Sequence, residues 1–93
     1  MTEHLYTVVS DYDGGTYVSQ FNGSTPEDVA RKWAAMLQIE RPIPQSSTYI
    51  AKSLLRDLGN GFPPAPLNGL DRVWQSGAQV GRAYYTATFI RSS

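Results

Sequence analysis

The sequence predicts an α+β domain of order ββ-α-α-ββ, with a four-stranded, mainly antiparallel sheet carrying both helices on one face. Three observations lead there. Two β-branched and aromatic runs flank a cluster of turn formers near the N-terminus, a similar pair closes the chain, and apolar residues recur at helical spacing between them. A chain of 93 residues fits a single domain spanning residues 1–93, because two independent cores are hard to build at that length.

The first run is Leu5-Tyr6-Thr7-Val8-Val9, which reads as strand. Asp11-Tyr12-Asp13-Gly14-Gly15 supplies a turn in which glycine takes positive φ without steric cost, and residues 16–21 form the return strand. Asn22-Gly23 ends the hairpin. Thr25 is then placed to cap a helix over about 26–39, Pro26 suits its first position, and Glu27 and Asp28 complement the positive end of its dipole. Val29, Trp33 and Leu37 recur every four residues, flanked by Ala30 and Met36, so this face needs a sheet to cover, and Trp33 is its centre.

Arg41-Pro42-Ile43-Pro44 breaks that helix. A second runs from Ser47 or Thr48 to about Leu58, with Ile50, Leu54 and Leu58 on one face and Gly59 as its stop; a strand over 48–51 is the rival reading. Residues 59–70 hold three prolines and read as loop, with Phe62 and Leu67 as candidate anchors to the core. The closing hairpin pairs 72–75 with 83–90 across a loop at 76–81. Tyr85, Ala87 and Phe89 face one way; Tyr84, Thr86, Thr88 and Ile90 face the other, as part of an uncovered sheet face mixing Ser, Thr and Tyr.

Composition excludes more than it reveals. Without cysteine, this chain cannot form disulfides, thiolate metal sites or cysteine nucleophiles. His4 is the only histidine and reads as an exposed residue near a terminus, so multi-histidine metal centres cannot form in one chain, and a Ser-His-Asp triad would have to use a residue near a fraying terminus. Asp11-Tyr12-Asp13-Gly14 begins like a calcium loop but lacks the glycine and the bidentate glutamate further on. The expectation is no catalytic residue, no metal and no cofactor. No apolar run reaches the roughly 20 residues that cross a bilayer, and no basic and apolar leader follows Met1, which makes a cytoplasmic, membrane-free protein the default expectation.

Formal net charge is zero but unevenly spread: Glu3, Asp11, Asp13, Glu27 and Asp28 precede residue 31, while all 8 Lys and Arg follow residue 30. The zero balance, and the absence of a basic-aromatic RNP signature, argue against nucleic acid, although Tyr6, Tyr17, Tyr84 and Tyr85 could form a base-stacking sheet face. Trp74 reads as core or as an exposed anchor.

Tyr6-Thr7-Val8-Val9, Asp13-Gly14-Gly15-Thr16-Tyr17-Val18-Ser19 and Thr25-Pro26-Glu27-Asp28-Val29-Ala30 together resemble the start of HicB-type antitoxins. The resemblance covers about the first third of the chain and implies a partial RNase H-like fold and an antitoxin's protein partner. It departs at Thr16, and the proline-rich middle has no counterpart. The whole chain is also similar to small bacterial proteins, a similarity that brings no activity with it. The functional expectation is a non-catalytic protein-binding module of antitoxin or immunity type, with room for a homodimer and with Asp11, Tyr12 and Asp13 as the binding tip. The alternative is a small-ligand or nucleic-acid-binding domain that uses the open sheet face and the 59–70 loop.

Overall fold

The computed structural model describes residues 2–92. Its elements run β1 (His4–Tyr12), β2 (Gly15–Gly23), α1 (Pro26–Glu40), α2 (Ser47–Gly59), β3 (Ala65–Pro66), β4 (Val73–Val80) and β5 (Ala83–Arg91). The strands form one antiparallel sheet in the order β2-β1-β5-β4-β3. The α+β class and the alternation of hairpins and helices are as the sequence implies. The sheet has five strands rather than four.

The extra strand lies inside the segment expected to be irregular. Ala65 and Pro66 pair with Gln75 and Trp74, and the Leu67 amide continues the ladder to the Val73 carbonyl at 3.0 Å. A proline can end a sheet because its missing amide faces solvent at an edge. Phe62 does not anchor this segment: it is 67% exposed, and buried Pro64 does so instead.

The closing hairpin is also tighter than expected. β4 continues to Val80 opposite Ala83, leaving only Gly81 and Arg82 in the turn. Positive φ at Gly81 alone is the pattern of a II′ turn, whose twist suits antiparallel strands. In the first hairpin both turn residues, Asp13 (φ 48°) and Gly14 (φ 85°), are left-handed, the I′ pattern.

Strand periodicity then sorts every side chain. Tyr6, Val8 and Ser10 of β1 and Tyr85, Ala87 and Phe89 of β5 are buried beneath the helices. α1 supplies Val29, Ala30, Trp33, Ala34 and Leu37; α2 supplies Ile50, Ala51, Leu54 and Leu58. Trp33 is the hub: its ring lies parallel to Tyr85 at 6.3 Å and edge-on to Phe89 at 6.2 Å. Trp74 is half-buried and tilted against Tyr6 at 6.0 Å, and His4 is half-buried opposite Gly23 rather than exposed.

The two helix starts differ. Thr25 accepts a hydrogen bond from the Asp28 amide at 3.0 Å, a cap worth about 1 kcal/mol. Ser46, at the corresponding place in α2, makes no side-chain cap, and no acid occupies that first turn. The linker before α2 is instead held by Ser47, whose hydroxyl accepts from the Ile43 amide at 2.8 Å and donates to the Ile43 carbonyl at 3.0 Å.

Candidate functional site: a free sheet edge and a basic groove

The three residues of the expected binding tip lie on different surfaces. Asp11 is still within β1 and points to the uncovered sheet face, where its carboxylate accepts from the Thr16 hydroxyl at 2.7 Å. Tyr12 points to the helix side, half-buried, and its hydroxyl donates to the Val80 carbonyl at 2.6 Å. Asp13 alone occupies the exposed turn. Period-two alternation parts neighbours in a strand, so Tyr12 does not project between the two carboxylates.

The tyrosines part in the same way. Tyr6 and Tyr85 are buried under the helices and Tyr17 faces the same side, which leaves only Tyr84 of the four on the open face. No aromatic stacking platform forms there. The open face carries Thr, Gln and Val with four larger exposed apolar side chains, Leu5, Val18, Tyr84 and Ile90. Asp11 is its one charged strand residue.

Beside that face runs an unguarded edge. β2 is the outermost strand, and its nine residues include no charge and no proline. In a two-residue hairpin the residues flanking the turn, here Tyr12 and Gly15, exchange both ladder bonds, and such pairs alternate with open ones. Tyr17, Ser19 and Phe21 therefore bond inward to β1, while Thr16, Val18, Gln20 and Asn22 aim their amides and carbonyls outward. The Asn22 carbonyl accepts from the Lys32 ammonium, which leaves three residues with both backbone groups free. The opposite edge ends differently, in a two-residue strand containing Pro66 and preceded by Pro63 and Pro64.

At the turn end of the sheet a groove of about 1000 Å³ opens between the two hairpins, the α1–α2 linker and α2. Lys52 and Arg56, one turn apart on α2, line it with Arg82 from the β4–β5 turn. Among the described residues the ion pairs join Arg31 with Glu27, and Lys32 with Glu3 and Asp28; none reaches these three cations. The basic bias of the later chain is therefore concentrated rather than cancelled here. Tyr12, Tyr17 and Tyr49 supply aromatic walls, and Asp13 stands at the rim. Ser53 is 4% exposed and lines the groove, and its hydroxyl has no hydrogen-bond partner.

The groove is not legible in the sequence because its parts come from residues 12–17, 43–56 and 79–83, which meet only when the two hairpin tips reach α2. The one signal available was the absence of a carboxylate three or four positions from Lys52 or Arg56 along the helix. Among the described residues no group of three or more His, Asp or Glu is placed to hold a metal, and no helix is long and apolar enough to cross a membrane. No family model matches the chain, and neither a curated protein nor a solved structure does.

Proposed function

We propose that this is a non-catalytic protein-binding module that takes up an extended strand of a partner polypeptide along β2. The observation that carries this reading is the unguarded edge: Thr16, Val18 and Gln20 present free backbone groups along an uncharged strand. Exposed edges of that kind are templates for pairing, and folded proteins usually blunt them with lysine, proline or a bulge. β2 carries none of these residues, whereas the β3 edge is short and flanked by proline. Val18, 64% exposed on the open face beside Val9, gives the incoming strand an apolar neighbour that fixes its register.

The partner strand is uncharged and β-branched over its middle, matching Thr16, Val18 and Gln20. A basic residue at one end would meet the negative charge of Asp11 and Asp13, which steers association more than it holds the complex. An antitoxin or immunity protein is the biological form this reading takes, since a borrowed strand also covers its owner's surface. It agrees with the resemblance of the first third to HicB-type antitoxins.

The test is Val18→Pro. Proline at an outward-facing edge position removes one donor without breaking the β1 ladder. Random dodecamer peptides displayed on phage should yield extended, β-branched binders that perturb the β2 amide resonances. Val18→Pro should abolish their binding while the protein still melts cooperatively. Binders that perturb other resonances, or that bind Val18→Pro as well as the parent, would overturn the edge as the site. Sedimentation equilibrium separates the case in which the occupant is a second copy, since the dimer would then be lost in the same variant.

A further inference from the structure

We infer that the groove between α2 and the two hairpin tips binds a phosphorylated small molecule carrying a planar ring, of the chemical class of the nucleoside phosphates. This site is separate from the β2 edge and rests on different residues. Its charge comes first. Lys52, Arg56 and Arg82 line one cavity, and among the described residues no carboxylate comes within ion-pair distance of any of them. Like charges held together repel, so a cluster of three cations favours an anion of more than one negative charge. Guanidinium forks match phosphate oxygens in pairs, and lysine adds a point charge beside them.

The polar groups already built into the walls agree. Ser53 leaves a buried hydroxyl without a partner among the described residues, and such orphans gather where a ligand or water completes them. Ser46 gives α2 no side-chain cap and lines the groove with Tyr49, so the positive end of that helix borders it, although the Ser46 and Ser47 amides are taken by the Ile43 carbonyl. α1, whose start lies away from the groove, has its Thr25 cap and two acids.

The aromatic walls supply the second half of the specificity. A Cβ at Gly15 would stand 2.6 Å from the Tyr17 hydroxyl and 3.0 Å from its ring, so the hydroxyl end of the ring occupies the space above that glycine. Tyr12 is fixed by its bond to Val80, and Tyr49 is 63% exposed at the rim. Rings held this way offer stacking surface at small entropic cost. Volume agrees with a small ligand, since pockets for such molecules span roughly 300–1000 Å³. A polyanionic strand fits less well, because Asp13 closes one side of the rim.

Titration of the full chain with the diphosphates of adenosine, guanosine, cytidine and uridine, against adenosine and inorganic phosphate, tests the assignment. At least one diphosphate should bind with Kd below about 1 mM, and both fragments at least about tenfold more weakly. Lys52→Gln with Arg56→Gln should weaken that binding about tenfold or more, as should raised salt, with melting unchanged because neither side chain is paired. Arg31→Gln, on α1 and paired with Glu27, is the control that leaves affinity unchanged. No binding by any diphosphate below about 1 mM, or equal affinity in the double variant, would sink the proposal. A single-stranded decanucleotide that binds more tightly than every diphosphate would also overturn it, in favour of a nucleic-acid surface.

Discussion

The Tyr12 hydroxyl donates to the Val80 carbonyl at 2.6 Å, joining residues 68 apart in sequence at the ends of the two hairpins. β1 and β5 are neighbours, but Tyr12 and Val80 lie beyond the last paired residues of β1 and β5, Asp11 and Thr86, so nothing in that ladder ties the two tips together. This side-chain bond does. It also holds one wall of the groove at fixed distance from the next.

Tyr12→Phe keeps the ring and loses the bond. The expected cost is about 1 kcal/mol, or a fall in Tm of roughly 4–8 °C for a domain of this size. Urea melts measure the first. Amide exchange should quicken at both hairpin tips and remain slow at Val8 and Phe89; uniform quickening would show that the bond has no local role.

Trp33→Ala should be far more damaging. The indole is 1% exposed and touches Tyr85 and Phe89 from the centre of α1, so truncation leaves a cavity between helix and sheet. Large aromatic truncations cost roughly 3–5 kcal/mol, comparable with the whole stability of a small domain. Circular dichroism at 37 °C should show partial or complete unfolding, against a folded parent.

How much of this was legible in the sequence follows from range. Trp33, Thr25 and the Asp13-Gly14 turn depend on residues within a few positions of themselves, so periodicity and turn chemistry reveal them. Residues 76–81 do not: Ser76, Gly77 and Ala78 carry turn-like composition, yet they lie in a central part of β4 because Ala87, Thr86 and Tyr85 pair with them. Ala65 and Pro66 become a strand only because Trp74 and Gln75 offer a free edge. Asp11, Tyr12 and Asp13 come to lie on different surfaces for a related reason, since the strand continues through Asp11 and Tyr12 and parts them. Lys52, Arg56 and Arg82 form a cluster only in three dimensions.

Gly77 shows the same tertiary control and carries a prediction. A Cβ there would stand 2.8 Å from the Tyr85 carbonyl and 2.9 Å from the Tyr84 ring, which lies across the glycine on the open face. Gly77→Ala must move backbone as well as the ring, at a cost of about 1–3 kcal/mol. A strand position of this type ordinarily gains from alanine over glycine, because glycine loses more entropy on folding. An urea midpoint raised in Gly77→Ala would mean that Tyr84 swings away freely.

Tyr85 sets the alkaline behaviour of the fold. Its ring is buried against Trp33, and its hydroxyl has no hydrogen-bond partner. Burial is the main cause that pushes the phenol above its ordinary 10.0, with the charge of Asp57 and then Tyr84 adding to it. A folded-state value above the unfolded one means that the unfolded chain releases this proton first as pH rises. The stabilising contribution is therefore complete below pH 10.0 and is lost progressively above it, as the folded value is approached. Unfolding free energy should thus decline from about pH 10 upward beyond what lysine titration causes, and Tyr85→Phe should remove that part of the slope. At neutral pH the same variant deletes a hydroxyl that bonds to nothing while preserving the stacked ring. It should be neutral or stabilising by up to about 1 kcal/mol. A loss of stability at pH 7 in Tyr85→Phe would show that the hydroxyl has a partner, an ordered water being the obvious candidate, and the alkaline slope would then belong to other groups.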